Sequence, residues 1–452
     1  MFVLPSALQR IFAILSDYET YLIGGCVRDL LLDIPPKDYD LTTAATPTQM
    51  LEIFARHGIR TLEIGRAFGT IGVLIDSQVY EITTFRSEGD YRDSRRPSSV
   101  DFASTLLEDT KRRDFTINAL AYHPAHGLID YHGGRADLRG GILRAIGAPK
   151  ERFGEDALRI LRGVGFVSRF GLRAEEGTRA AMRECAPLLS HISGERITSE
   201  LEKILLGRFW TRAVGEFGGI LEEVLGREMD LSFLRALHSD ASHATPSPLP
   251  CTTSPASPLS PHAPHPLRAK SHFTDSTPQD SLDLPLSFCL RLGYLLHFSR
   301  PTSHAPRPHL AAPHASRPSA LPASLVLSRA QRAELETYLY YLALPLPRSE
   351  REICHMLRTS PKAPATAPDY LATFLSPYPS ARALLDAALA RGLPYRTRDL
   401  ALSGVDLLGF PPALRGEVLT RLLILVIDGE LENSPHALHD YLKATYGEVD
   451  TH

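Results

Sequence analysis

The stretch "YLIGGCVRDLLLDIPPKDYDLTT", from Tyr21 to Thr43, constrains the fold of this chain more than any other segment. It begins with a short apolar run that ends in two glycines, and this pattern predicts a buried strand followed by a turn. "CVRDLLL" is typical of a helix start, and "YDLTT" predicts the next strand. Strand, glycine turn, helix and strand in this order indicate an α/β domain.

The "DYD" sequence places Asp38 and Asp40 two residues apart on the second predicted strand. Side chains at this spacing point to the same face, so the two carboxylates would lie side by side. They repel each other unless a cation lies between them, and such oxygen ligands suit Mg²⁺ held with help from substrate phosphates. A DxD sequence alone is weak support, because many surface loops contain one.

The residues before this pair strengthen the phosphate interpretation. Gly24 and Gly25 let the backbone approach a ligand without interference from a Cβ atom, and they precede a predicted helix N-terminus, which favours phosphate. Arg28 lies one turn into that helix and could bind a phosphate oxygen. A plain strand-turn-helix with a solvated arginine is the alternative, and the nearby DxD makes it the weaker one.

Glu81 lies in "VYEITTF", a predicted strand with apolar and aromatic neighbours. Its carboxylate is either a third metal ligand or general base, or an ion-paired structural residue. The sequence favours neither interpretation, because carboxylates with perturbed pKa values occur both in functional sites and in structural ion pairs.

Other segments predict further elements. "TPTQMLEIFARHG" predicts a helix capped by Thr46 and ended by Gly58, and "TIGVLID" with "VYEITTF" predicts a hairpin. "DALRILRGVGFVSRF" and "ERITSELEKILL" have the periodicity of helices. Two segments rich in Pro, Ser, Ala and His, at about 239–283 and 299–328, are predicted to be disordered or loosely extended, with one buried helix in "LPLSFCLRLGYLLHFS" between them.

Composition limits the class of protein. The chain has 452 residues and a formal net charge of -3, enough for two or more domains. No apolar run is long enough to span a membrane, and the N-terminal segment lacks the pattern of a signal peptide. The five cysteines form no CxxC pair, so neither a disulfide framework nor a zinc site is predicted. We therefore expect a reduced, cytoplasmic enzyme without a membrane association.

Several motifs in order resemble one known family. "LIGGCVRDLLLDIPPKDYDLTT", "RAFGTIGVLI", "YEITTFRSEGDYRDSRRPSSVDF", "RRDFTINALAY", "GEDALRILRGVGF" and "SGERITSELEKIL" are similar to the class II tRNA nucleotidyltransferases and poly(A) polymerases, most closely the bacterial CCA-adding branch. The similarity is dense over residues 20–210. It returns in "LALSGVDLLGFPPALRGEVLTRLLILVIDGELEN" near the C-terminus.

The resemblance implies an α/β nucleotidyltransferase head with a mixed sheet, followed by all-α neck, body and tail domains. The expected divisions are a catalytic head at 1–135, a neck with base recognition at 136–225, a body at 226–345 that contains the Pro/Ser/His-rich segments, and a tRNA-binding tail at 346–452.

The resemblance also implies a reaction, in which the 3'-hydroxyl of an RNA attacks the α-phosphate of a nucleoside triphosphate and pyrophosphate leaves. Asp38 and Asp40 match the family's Mg²⁺ ligands, Gly25 and Arg28 match its triphosphate contacts, and Arg113 in "RRDFTINA" matches a nucleotide-binding arginine. In the same motif, Asp114 and Asn118 have either a role in ribose recognition and closure or a structural role as a cap or turn.

Asp156, Arg159 and Arg162 match the family's nucleotide-reading residues on a predicted helix. Asp156 could accept from the exocyclic amino group of cytosine or adenine while Arg159 donates to the ring nitrogen. Guanine and uracil present the opposite pattern and would leave both protein groups unpaired. The alternative is an ordinary surface salt bridge. Gly165 stands where the family continues with arginine, and Arg169 is a candidate substitute.

The expected function is addition of C and A to the 3' end of tRNA from CTP and ATP, with contacts to the acceptor arm. The segment Arg86–Pro97 predicts a mobile loop of the kind that the family ties to the switch from C to A. The alternatives are a poly(A) polymerase, a tRNA nucleotidyltransferase that adds only A, and an inactive RNA-binding module. Intact Asp38, Asp40, Arg28 and Arg113 disfavour the inactive module.

Overall fold

The structure, a computed structural model, describes residues 2–86, 103, 105–229, 288–297, 299–301, 322, 324–362, 365–376, 378–402 and 404–447. It divides into two compact units. The first contains the described residues up to Met229 together with the segment Pro322–Val326, and the second contains the other described residues. The four-part division into head, neck, body and tail stays a prediction.

The strands of the first unit are β1 (Thr20–Ile23), β2 (Asp40–Thr43), β3 (Thr61–Leu62), β4 (Thr70–Ile75), β5 (Gln78–Thr84), β6 (Ala121–His123), β7 (Gly127–Ile129), β8 (Ile142–Leu143), β9 (Arg173–Ala174) and β10 (Arg227–Met229). Its α-helices are α1 (Ser6–Ile14), α2 (Gly25–Leu31), α3 (Pro47–Arg56), α4 (Leu106–Lys111), α5 (Gly134–Arg139), α6 (Pro149–Glu155), α7 (Leu158–Phe170), α8 (Glu176–Glu184), α9 (Gly194–Leu206) and α10 (Trp210–Leu225). Short 3-10 helices cover Arg66–Phe68, Thr116–Asn118 and Ala186–His191.

Seven of these strands form one mixed sheet in the order β3-β4-β5-β2-β1-β6-β7. Strands β2 and β5 run parallel, and the other neighbours in this sheet run antiparallel. The predicted α/β head with a mixed sheet is therefore confirmed, as are the β1-α2-β2 order and the β4-β5 hairpin. Helices follow from α5 onward, so the predicted change to helical structure is also confirmed.

Local signals explain why the predicted elements form. The Thr46 side chain accepts from the backbone of Gln49 and the Gln49 side chain accepts from the backbone of Thr46, which completes a capping box at the start of α3. Gly58 follows the end of the helix with a φ of 64°, a conformation that favours glycine. These contacts lie within a few residues, and for this reason the sequence alone predicted them.

The second unit is mainly helical in its described residues. Its α-helices are α11 (Phe288–His297), α12 (Arg329–Leu342), α13 (Glu350–Arg358), α14 (Ala367–Leu375), α15 (Pro379–Ala390), α16 (Pro412–Ile427) and α17 (Pro435–Tyr446), with 3-10 helices at Thr397–Asp399 and Gly404–Leu407 and a short strand, β11, at Ser299–Pro301. Helix α11 confirms the helix predicted between the Pro-rich segments. Within the described residues, no helix combines the length and apolarity that crossing a membrane requires.

The Pro/Ser/His-rich segments are only partly described. The prediction for 239–283 lies outside the described residues, as does most of the predicted loop after Arg86. At both ends of 299–328 the predicted loose chain is wrong, because Ser299–Pro301 form a strand and the Val326 backbone N donates to Thr198 Oγ1 at 2.9 Å.

Candidate functional site

Three carboxylates lie at the start of β2 and on its neighbour β5, two interior strands of the mixed sheet. Asp40 is the first residue of β2 and is in register with Glu81 on the parallel neighbour β5. Asp38 lies in the loop just before β2, so the prediction that both aspartates lie on this strand is wrong. Residues in register on adjacent strands point to the same face, so Asp40 and Glu81 share one side of the sheet. All three side chains are exposed, and no ion pair involves them in the described part of the chain. We call Asp38, Asp40 and Glu81 the carboxylate edge.

The electrostatics of the carboxylate edge favour a cation. Desolvation by the surrounding protein raises the pKa of Asp40 even though the residue keeps contact with solvent; nearby Arg113 opposes this shift, and the charge of Asp38 adds to it. The surroundings of Asp40 thus disfavour its ionised form, and a bound cation would relieve the repulsion from Asp38.

Arg113 reaches the carboxylate edge from the segment after α4. Its Nη1 donates to the Asn118 carbonyl at 3.4 Å and its Nη2 to Asp109 Oδ2 at 3.3 Å. Its Nε is buried and has no hydrogen-bond partner in the described part of the chain. Gly24 makes room for this side chain, because a Cβ there would lie 2.9 Å from Arg113 Nη1 and its φ of 78° suits glycine alone.

Asp109 in α4 holds the two arginines of the "RRD" sequence. Its fully buried carboxylate accepts from Arg112 Nη2 at 2.7 Å, from Arg113 Nη2 and from the Arg86 backbone N at 3.1 Å. Burial alone would raise the pKa of Asp109, but the charges of Arg113 and Arg112 and the hydrogen bonds outweigh it, and the pKa is lowered. The sequence analysis did not identify Asp109. Its position in the chain, four residues before Arg113, could have indicated the ion pair.

Arg28 is only 4% exposed, although the sequence suggested a phosphate contact. Its Nε and Nη2 donate to Asp29 Oδ1 at 2.9 and 2.7 Å, and its Nη1 donates to Asn118 Oδ1 at 2.5 Å. Gly25, the first residue of α2, lies beside it, with an ideal Cβ 3.5 Å from Arg28 Nη2. Binding of triphosphate by Gly25 and Arg28 stays a prediction.

Asp114 and Asn118 link Arg28 to helix α7. Asn118 Nδ2 donates to Asp114 Oδ1 at 3.0 Å, and Arg162 Nε and Nη2 donate to Asp114 Oδ2 at 2.8 and 2.7 Å. Burial would raise the pKa of Asp114, but the charge of Arg162 and the hydrogen bonds from Asn118, Arg162 and the Phe115 backbone lower it. The charge of Asp114 in turn raises the pKa of Arg162. We call Arg28, Asp29, Asp114, Asn118 and Arg162 the buried network, in which Arg162 is the partly exposed member.

The prediction that Asp156 and Arg159 share one helix face is wrong, because the helix is broken at Asp156. Helix α6 ends at Glu155, Asp156 is extended with a φ of -147°, and α7 begins at Leu158. Asp156 Oδ1 accepts from the Leu158 backbone N at 3.1 Å, as a capping residue does, and its Oδ2 accepts from Arg196 Nη2 at 2.9 Å. These two contacts explain the break.

Arg159 does not pair with Asp156. Its Nη1 donates to the Arg152 carbonyl at 2.9 Å and to Glu155 Oε2 at 2.5 Å, and its Nη2 donates to the Arg112 carbonyl at 3.0 Å. Since a guanidinium has five N–H groups, donors remain for a ligand. Base reading by Asp156, Arg159 and Arg162 stays a prediction.

The two glycines of α7 differ in their surroundings. A Cβ at Gly163 would lie 2.9 Å from Phe115 Cζ and 3.0 Å from Met182 Cε, so this glycine allows close packing. At Gly165 the nearest atoms would be Ile204 Cγ1 at 3.9 Å and Glu200 Oε2 at 4.0 Å on α9. A side chain at position 165 would therefore start toward α9.

The carboxylate edge fits a cation that takes its other ligands from a substrate. Among the described residues, no group of three or more His, Cys, Asp or Glu side chains is arranged to hold a metal ion. Mg²⁺ is commonly bound by one or two carboxylates together with water and substrate phosphates. Asp38 and Asp40 supply such a pair. Glu81 does not lie with them in an arrangement that could hold a metal ion as a third ligand.

Family models match the part of the chain that contains this site. The profile described as "Poly A polymerase head domain" matches residues 20–144, which hold the mixed sheet, the carboxylate edge and Arg113. Residues 20–144 of the chain therefore resemble the head domain of the poly(A) polymerases. A second profile, "Probable RNA and SrmB- binding site of polymerase A", matches residues 171–216, which include α8 and α9. The family resemblance expected from the motifs is confirmed.

Curated relatives carry the name CCA-adding enzyme. The protein of Streptococcus gordonii is 44% identical over 247 residues, which are 52% of this chain and 61% of the relative. That of Geobacillus stearothermophilus is 47% identical over 197 residues, 44% of this chain and 48% of the relative, and that of Enterococcus faecalis is 50% identical over 192 residues, 42% and 46% of the two chains. The chain thus spans about half the length of the curated relatives it matches.

Solved structures match over a longer range. The CCA-adding enzyme of Bacillus stearothermophilus in complex with CTP has a TM-score of 0.64 and 27% identity, with 98% of each chain covered. The Thermotoga maritima CCA-adding enzyme complexed with tRNA has a TM-score of 0.59 at 19% identity, with 98% of this chain and 96% of that chain covered, and shows likeness of fold.

Proposed function

We propose that this chain is a tRNA nucleotidyltransferase that adds C and A to the 3' end of tRNA from CTP and ATP. The observation that carries the proposal is the carboxylate edge, where Asp38 and Asp40 lie beside Arg113, whose buried Nε has no hydrogen-bond partner in the described residues. The similarity to proteins named CCA-adding enzyme supports the substrate. With tRNA as substrate, we also propose a cytoplasmic location.

Asp38 and Asp40 would hold Mg²⁺, with Arg113 beside them to meet the triphosphate. When bound, the ion would neutralise charge on the triphosphate and favour attack by the RNA 3'-hydroxyl on the α-phosphate, with pyrophosphate leaving. Glu81, in register with Asp40, lies on the same face and is a candidate general base for that hydroxyl. Gly24 and Gly25 would leave the backbone open to the phosphates.

Base choice would depend on Asp156, Arg159 and Arg162. The Asp156 carboxylate oxygens accept one hydrogen bond each from Leu158 and Arg196, and each can accept another from an exocyclic amino group. Arg159 would donate to the adjacent ring nitrogen, and Arg162 lies one turn further along α7. Cytosine and adenine satisfy both groups, whereas guanine and uracil leave them unpaired.

The test uses the full chain, Mg²⁺ and three tRNA transcripts, which lack CCA, end in C, or end in CC. Each is offered CTP, ATP or both, and products are read at single-nucleotide resolution. Completion of CCA on all three, with no further addition, is the expected result. Addition of A to the CC-ending tRNA alone would indicate an A-adding enzyme, and long A tracts on any RNA would indicate a poly(A) polymerase. Binding of tRNA without any incorporation would contradict nucleotidyl transfer.

A further inference from the structure

Arg28 joins the glycine turn of the sheet to helix α7. Its guanidinium carbon lies 4.8 Å from the ring centroid of Phe170 and 5.3 Å from that of Phe166. The two rings are stacked at 6.3 Å with an interplanar angle of 17°, and both belong to α7. A buried guanidinium against aromatic faces gains more than an exposed one, because water does not compete for it.

Asp29 makes a second connection to the same helix. Its Oδ1 accepts from Arg28, while its Oδ2 accepts from Arg169 Nη2 at 3.3 Å. The Arg169 guanidinium in turn lies 4.7 Å from the Phe170 ring. One carboxylate therefore bridges an arginine of α2 and an arginine of α7, and Phe170 contacts both arginines.

Arg28 uses three of the five N–H groups of its guanidinium in these contacts within the described part of the chain. Nε and Nη2 are directed to Asp29, and Nη1 is directed to Asn118. Releasing any of them to a phosphate would leave a buried carboxylate or amide with one partner fewer, which is costly. These contacts give Arg28 a role in holding α7, which adds to the phosphate contact expected of it and does not replace that contact.

We infer that Arg28, Asp29, Phe166, Arg169 and Phe170 form a latch that fixes α7 against the sheet. These five are positioning residues. Of the proposed base-reading residues, Arg159 and Arg162 lie in α7 and Asp156 directly precedes it. The latch therefore sets their position relative to the carboxylate edge. This inference rests on the proposed function for its role in base choice, but the latch itself does not depend on it.

Amide hydrogen exchange of the full chain tests the latch without any assay of activity. Asp29→Asn removes the bridging charge, and Arg169→Gln removes the half-exposed partner. Exchange of the α7 amides should rise by about 10-fold in Asp29→Asn and about 3-fold in Arg169→Gln. Arg173→Gln is the control, since Arg173 is exposed and, among the described residues, it bonds through its backbone N to the Gly141 carbonyl and not through its side chain. Unchanged α7 exchange in both variants would overturn the latch.

Base discrimination tests the positioning role. In single-turnover addition to a tRNA that lacks CCA, Arg169→Gln should raise incorporation of UTP relative to CTP by about 5-fold, because the base-reading groups are held less firmly. Arg169→Lys should restore most of the discrimination, and the KM for tRNA should not change. Faster α7 exchange with unchanged discrimination would overturn the positioning role. A wild-type protein that adds no nucleotide would overturn the proposed function and this role together, while the exchange rates would still decide the latch.

Discussion

Asp40 in the carboxylate edge and Asp114 in the buried network are aspartates of the same unit, but their pKa values shift in opposite directions. Around Asp40, desolvation and the charge of Asp38 outweigh the help of Arg113, so the pKa is raised. Around Asp114, the charge of Arg162 and three kinds of hydrogen bond outweigh complete burial, so the pKa is lowered. The protein thus satisfies the charge that it buries and leaves the exposed one short of partners, which is the arrangement expected of a ligand site.

Substitution in the carboxylate edge should give the largest effect on activity and little on folding. Asp40→Asn keeps the shape of the side chain and removes the charge, so nucleotide addition should fall by roughly 10²- to 10³-fold. Single-turnover incorporation measures the loss, and thermal unfolding measures the stability. Asp17→Asn, at an exposed position outside the site, is the control. Activity within a few-fold of wild type would refute the role of this edge.

Substitution in the buried network should give the largest effect on folding. Asp114→Ala leaves Arg162 and Asn118 without their acceptor, and the free energy of unfolding should fall by about 3–5 kcal/mol. Urea denaturation followed by circular dichroism gives the value. The exposed pair of Lys150 and Glu184 offers a matched control, because Glu184→Gln should cost less than about 1 kcal/mol. Equal losses of unfolding free energy in Asp114→Ala and Glu184→Gln would contradict the stabilising role of the buried network.

Gly24 lies between the two regions. A Cβ there would lie 2.9 Å from Nη1 of Arg113, which is near Asp40, and 3.5 Å from the carbonyl oxygen of Asn118 in the buried network. Gly24→Ala forces a Cβ to 2.9 Å from Arg113 Nη1 at a φ of 78°, which should cost about 1–3 kcal/mol. The displaced arginine should also lower nucleotide addition by about 10-fold. Gly58→Ala shares the positive φ but meets no atom within 4 Å, so it should lose stability alone. Equal activities of the two variants would contradict the positioning of Arg113 by Gly24.

The two glycines of α7 give a smaller test of packing next to the buried network. Gly165→Ala has room and should stabilise the protein by about 0.5–1 kcal/mol, because alanine favours the helix. Gly163→Ala meets Phe115 and Met182 and should destabilise it. Both values come from urea denaturation. A destabilising Gly165→Ala would mean that α9 lies closer to this position than the structure places it.

The opposite pKa shifts predict opposite responses to pH. The stability that Asp114 supplies is complete above its ordinary pKa of 3.8 and is lost as pH falls through the lowered folded value. Ionised Asp40 instead opposes folding at neutral pH, and this penalty disappears as pH falls through the raised folded value. Asp40→Asn should therefore have a Tm slightly above wild type at neutral pH, and the difference should vanish in acid. Thermal scans across pH check the sign, and a lower Tm at neutral pH would contradict it.

The break at Asp156 shows where prediction from sequence failed. The run "GEDALRILRG" contains residues that suit a helix and no proline, so local signals predict no interruption. At the interruption, Asp156 accepts a hydrogen bond from Arg196, forty residues further on, and no local pattern connects these two residues. Arg28 is a similar case, since its burial depends on Phe166 and Phe170, which no local pattern connects to the glycine turn.

The sequence by itself determined the elements whose signals are local. These elements depend on contacts between residues that are only a few positions apart in the chain. They are the strand, glycine turn and helix around Gly24, the capped helix α3, the β4-β5 hairpin and the carboxylate pair at Asp38 and Asp40. Tertiary structure alone decided which charged groups are buried and which stay open. Register brings Glu81 beside Asp40, and packing of α7 encloses Arg28 and Asp114. Desolvation depends on everything that surrounds a group, and residues far apart in the chain supply those surroundings.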